Sequence, residues 1–188
     1  MRRADSSKTA RARARVPLPS QHKLRALAIL HEVDSALDGW GCDASTECCR
    51  FAVTGREPWV TALEWRLVVD ESARQGRRLP AIPKHEDERC PFLATQEGNK
   101  GGRCTVYAAR PLGCRTFFCE RARHTDGRTG APSTSTRELR EASRSLAALP
   151  DVDVDVTNHD DGKARPLRSW LRAALASKTR AKKPSRRP

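Results

Sequence analysis

Apolar residues recur at helical spacing in two stretches near the front of this chain. From Leu24 to Leu37 the positions Leu24, Leu27, Ala28, Leu30, Val33 and Leu37 predict an amphipathic helix, which Gly39 and Gly41 break. Trp59 to Ala73, with Leu63, Leu67 and Val68, predicts a second helix begun near Pro58. Leu79 to Pro83 reads as a proline-punctuated linker. Residues 90–119 carry Gly and Pro at short intervals, which predicts loops and short turns. Ser135 and Glu138 are spaced as a capping box for a helix ending near Leu149-Pro150. A last short helix is expected from Pro166 through Trp170 to Ala176. No internal repeat is present. The pattern predicts a mainly α fold: a small, loop-rich, metal-stabilised domain over residues 21–177, including a helical extension over 133–177.

Composition locates the ends. The 188 residues are 37% hydrophobic and 31% charged, so the core is modest for one domain. The formal charge is +13. Residues 1–20 hold six basic side chains against Asp5, and residues 178–188 hold six with no acid. The body between them is left with +2. Both ends are therefore expected to be disordered basic tails, able to hold nucleic acid or another polyanion weakly but more simply read as solubilising arms. No run approaches a membrane span and no apolar leader follows Met1-Arg2-Arg3, so a cytoplasmic protein without a membrane partner is expected.

The cysteines change the picture most. Cys42, Cys48 and Cys49 form one group, and Cys90, Cys104, Cys114 and Cys119 a second. Seven is an odd number for disulfides, and in a reducing compartment clustered thiols point to metal. A soft thiolate suits both Zn²⁺ and iron–sulfur clusters. A helix there would bring Cys42 and Cys49 to one face, and vicinal Cys48-Cys49 can share a centre on a turn or helix. The spacing by itself leaves the metal open. Arg110 and Arg115 stand where guanidinium groups would offset the negative charge of a thiolate site. Phe92, Tyr107, Phe117 and Phe118 would pack around it.

Together these strings carry a resemblance. Cys42-x5-Cys48-Cys49-Arg50-Phe51, Cys90-Pro91-Phe92-Leu93, Gly102-Arg103-Cys104-Thr105-Val106-Tyr107 and Arg110-Pro111-x-x-Cys114-Arg115-x-Phe117-x-Cys119 resemble, in order, the YkgJ family of cysteine-cluster proteins. The match covers about residues 24–120. The resemblance implies a zinc- or iron-chelating domain using all seven cysteines. It departs at Ser45, where the family's C-x2-C-x2-C-C opening has a cysteine, and Asp43, Glu47 or His85 are weaker candidates to fill a coordination place.

Other motifs fail. No C-x3-C-x2-C radical signature or Walker A loop occurs. Gly39-x-Gly41-x-x-Ala44 follows a helix, not the strand a dinucleotide fingerprint needs. Asp151, Asp153 and Asp155 lack the later positions of an EF-hand loop. His22, His31, His85, His124 and His159 are scattered. The surplus of thiols beyond four favours an iron–sulfur cluster, with a redox or iron-linked role, over one closed zinc site. The alternatives are a structural zinc module whose basic tails bind nucleic acid, or an enzyme related to flagellin lysine N-methylases, which share a similar cysteine-rich region.

Overall fold

The computed structural model describes residues 21–41, 46–83, 88–95, 102–117, 122–130, 136–149 and 163–181. Within them lie six α-helices and six short strands. The helices are α1 (Gln21–Ala36), α2 (Phe51–Thr54), α3 (Ala62–Arg74), α4 (Leu112–Arg115), α5 (Thr136–Ala147) and α6 (Leu167–Ala181). The strands make three antiparallel pairs. β1 (Trp40–Gly41) pairs with β5 (Arg123–His124), β2 (Trp59–Val60) with β6 (Arg165–Pro166), and β3 (Leu93–Thr95) with β4 (Gly102–Cys104). The fold is mainly α, as the periodicity predicts. No helix among the described residues is long and apolar enough to cross a membrane.

The central element is α3, because it is apolar on two sides. Trp65 and Val68 join Phe51, Val60, Phe92, Val106, Trp170 and Leu171 in one core cluster. Leu63 and Leu67, one turn apart, face α1 and α5 in a second, with Ala26, Ile29, Leu30 and Leu146. Trp170 is fully inside the first cluster and donates its indole N–H to the Val60 carbonyl at 2.8 Å, so its one polar atom is satisfied. Burial of an aromatic side chain on this scale is worth about 2–3 kcal/mol.

Three sequence expectations shift. The buried stripe of α1 is Ala26, Ile29, Leu30, Val33 and, just past its end, Leu37, whereas Leu24 and Leu27 face solvent. The helix expected from Trp59 begins at Ala62 instead, and Trp59–Val60 is strand. The reason is a capping box. Thr61 Oγ1 accepts the Glu64 N–H at 3.3 Å, and Glu64 Oε2 accepts the Thr61 N–H at 2.8 Å. Gly76, at φ +66°, closes the other end in a Schellman turn, with Gly76 N–H bonded to Ala73 and Arg77 N–H to Ser72. Finally, α6 continues to Ala181, past residue 177 where a tail is expected. Ser135 and Asp151, Asp153 and Asp155 lie outside the described residues.

Candidate metal centre

Cys48 and Cys49 lie on a single 3-10 turn, Glu47–Cys49. Thr46 precedes it at φ +58°, a left-handed conformation that a β-branched residue rarely adopts. That residue stops any continuous helix from reaching back toward Cys42, so the helical route to a shared face is closed at Thr46. The turn instead sets Cys48 Sγ and Cys49 Sγ 3.9 Å apart. Thiolates held ~2.3 Å from a tetrahedral metal stand about 3.8 Å apart, so this spacing is already that of two ligands on one ion.

Backbone pairing brings in the other thiols. The Cys49 carbonyl accepts the Cys90 N–H at 2.7 Å, and Phe51 N–H donates to the Glu88 carbonyl at 2.7 Å, around an antiparallel bridge between Arg50 and Arg89. In the β3–β4 hairpin Cys104 stands opposite Leu93. Its next residue fixes that register, because the Phe92 carbonyl accepts both the Thr105 N–H and hydroxyl, at 2.8 and 3.0 Å. Gly102 allows the close approach: a Cβ there would lie 2.8 Å from the Ala94 carbonyl oxygen. Cys114 rides on α4, whose first N–H, Leu112, is accepted by Glu64 Oε1 at 2.8 Å.

The five described cysteines are free thiols, and only Cys48 is exposed. Each of four is harder to ionise than an ordinary thiol. For Cys48 the cause is first its hydrogen bond with Cys49, then burial. For Cys104 it is burial, opposed by the Val106 backbone N–H and the Arg110 charge. Cys114 is raised by burial and then by the charges of Cys49, Cys104 and Cys48. Cys49 is mixed. Its bond from Cys48 is the strongest influence and favours the thiolate, but the Cys90 hydrogen bond, burial and neighbouring sulfurs together push it up to about 12. Sulfurs from four separate segments therefore feel one another. Among the described residues alone, no three His, Cys, Asp or Glu side chains already stand at metal-binding geometry.

The two arginines singled out in the sequence do different things. Arg115 is buried, and all three of its nitrogens are engaged. Its Nε and Nη2 donate to the Arg110 and Ala108 carbonyls at 2.8 Å each, and Nη1 pairs with Asp34 of α1. It ties the Cys114 helix to the loop before it. Arg110 lies with its guanidinium 4.0 Å above the Tyr107 ring and 3.7 Å from Asp34. Its charge eases ionisation of both Cys48 and Cys104. Yet its Nε is fully buried and finds no hydrogen-bond acceptor among the described residues. Such a buried cationic N–H is one that a thiolate-bound anionic centre would satisfy.

Of the aromatic residues expected to pack here, Phe92 is buried edge-on against Trp65, with ring centres 6.3 Å apart. Phe117 is half-buried. Tyr107 is exposed instead, serving as the plate under Arg110. Glu64 and Asp34 were not singled out by spacing, although the Thr61-x-x-Glu64 string carried the signal for the first. Among the histidines, His31 is exposed on α1, and His124 of β5 pairs with Asp126 at 2.8 Å. Glu47 begins the 3-10 turn. Cys42, Asp43, Ser45, His85, Phe118, Cys119 and His159 lie outside the described residues. The β1–β5 pair nonetheless joins the chain just before Cys42 to the chain shortly after Cys119, since Gly41 stands opposite Arg123.

No curated protein and no solved structure matches this chain. Residues 41–134, half the chain, match the family model CxxCxxCC, described as "Putative zinc- or iron-chelating domain". The interval begins one residue before Cys42 and takes in all seven cysteines and both arginines. The chain belongs to this zinc- or iron-chelating cysteine-cluster family.

Proposed function

We propose that the thiols of Cys42, Cys48, Cys49, Cys90, Cys104, Cys114 and Cys119 hold a metal centre, and that this centre is an iron–sulfur cluster. One observation carries the reading. Two thiols stand at ligand spacing on one turn, and the Arg110 guanidinium, whose charge eases ionisation of Cys48 and Cys104, has a buried Nε without an acceptor among the described residues. The donor set fits, because soft thiolates in excess of four suit a cluster or multinuclear site better than one closed tetrahedral ion. When bound, such a cluster supplies reversible one-electron chemistry.

The protein's own part follows from its residues. Cys48 and Cys49 offer two sulfurs at ligand spacing from one turn. Cys104 and Cys114 are set by the hairpin and by the Glu64 bond to α4. Arg110 lowers the cost of thiolate charge and has an N–H to give to sulfur, while Arg115 holds α4 in place. Phe92 and Val106 keep water from the inner side, and exposed Cys48 marks the outer side.

The test is elemental analysis with an absorption spectrum on protein purified without oxygen. Iron with acid-labile sulfide and a broad band near ~400 nm is the expected result. A colourless protein with stoichiometric zinc would overturn the cluster while leaving thiolate chelation standing.

A further inference from the structure

The basic C-terminal stretch begins within the folded domain. Residues 163–188 contain ten Lys and Arg and no Asp or Glu. This acid-free run starts inside the folded domain. Arg165 and Pro166 form β6, and α6 follows at once, anchored by the buried side chains of Leu167, Trp170 and Leu171. Part of this positive charge thus lies on a docked helix whose Arg172 faces solvent and whose helical backbone includes Lys178 and Arg180.

Across the two-residue ribbon from β6 stands Trp59, paired with Pro166 and 64% exposed. The other described tryptophans are buried or half-buried. Leaving most of an indole in water forfeits apolar area that the other large rings among the described residues place at least partly inside, apart from the Tyr107 plate. Arg56, three residues earlier, is exposed, and the nearby carboxylate, Glu57, is consumed by Arg168, accepting its backbone N–H at 2.6 Å and its Nε at 3.0 Å. An exposed aromatic plate at the head of an acid-free basic helix has the two parts of a single-strand site: a face for a base and a track for phosphates.

We propose that the β2–β6 ribbon and α6 form a docking surface for single-stranded nucleic acid, with a base stacked on Trp59 and the backbone running along α6.

The probe is a fluorescein-labelled dT20 strand, compared with the dT20·dA20 duplex and with heparin, at about 0.15 M salt. Trp59→Ala should weaken dT20 binding roughly tenfold, Trp59→Phe should recover most of the loss, and heparin binding should be unchanged. In the unaltered protein, dT20 should shield tryptophan fluorescence from acrylamide, a readout that needs no variant. Equal dT20 affinity in Trp59→Ala, or equal binding of duplex and single strand without shielding, would overturn the proposal and leave only a polyanion-binding tail. Absence of dT20 binding would also overturn it, and would point to an acidic protein surface as the occupant.

Discussion

Glu64, in the first turn of α3, accepts the backbone N–H of Leu112 at 2.8 Å, 48 residues along the chain. The same carboxylate takes the Thr61 N–H and hydroxyl at 2.8 and 2.9 Å. One buried side chain thereby starts two helices, one structural and one carrying Cys114. It is 3% exposed, and its charge is tolerated because three donors surround it.

Glu64→Ala is expected to destabilise the fold by about 3 kcal/mol, because it leaves two backbone donors without their acceptor and opens a gap. Glu64→Gln should cost less, about 1–2 kcal/mol, since an amide oxygen still serves one of them. Urea midpoints of both variants check the order. Metal content should fall in Glu64→Ala as α4 loosens.

Gly102→Ala is expected to cost about 1–3 kcal/mol, since the new methyl would press on the Ala94 carbonyl oxygen and on Leu93. The strain falls on the hairpin that presents Cys104. Reduced metal retention during dialysis against a chelator, together with a lower thermal midpoint, is the expected pair of results.

Exposed and buried thiols should separate under mutation. Cys48→Ala removes an exposed side chain and is expected to lower metal content while changing the stability of the metal-free protein by less than about 1 kcal/mol. Replacing the half-buried Cys49, Cys104 or Cys114 by Ala should lower metal content and solubility as well, because each sulfur is partly packed against its surroundings. Full metal retention in all four variants would remove these thiols from the site.

The thiols also give a pH dependence with a definite sign. Cys48, Cys49, Cys104 and Cys114 all ionise above the ordinary thiol value of 9.0 in the fold. Their protonated forms therefore favour the folded state, with the full contribution present below about pH 9. It is lost as the pH rises, over a range that for Cys49 reaches about 12. Metal-free protein should show a urea midpoint that holds steady up to about pH 9 and falls above it. Because ligation needs thiolates, metal uptake at pH 7 should release about one proton per ligating cysteine. Calorimetry in two buffers of different ionisation enthalpy would count them.

Arg115→Lys is expected to destabilise by about 2 kcal/mol, because an ammonium cannot reach two carbonyls and Asp34 in the planar fork that guanidinium provides. Asp34→Asn should show a smaller loss, and the double variant less than the sum if the pair acts as a unit. A double-mutant cycle on thermal midpoints measures it.

Sequence by itself determined the mainly α class, the approximate places of α1, α3, α5 and α6, and the family, since period, caps and the cysteine strings are local properties of the chain. The same local rules missed what depends on a partner. Leu24 and Leu27 fit the helical period of α1 as well as Leu30 does, but only packing against α3 and α5 decides which stripe is buried. Trp59 looked like a helix start because its pairing partner, Pro166, is 107 residues away, beyond the reach of any window. Arg110 and Arg115 sit in one motif and were indistinguishable there. The tertiary structure separates them, because Asp34 and two carbonyls converge on Arg115, while the buried Arg110 Nε finds no acceptor among the described residues. Which charges are satisfied is set by long-range contacts that spacing along a chain does not contain.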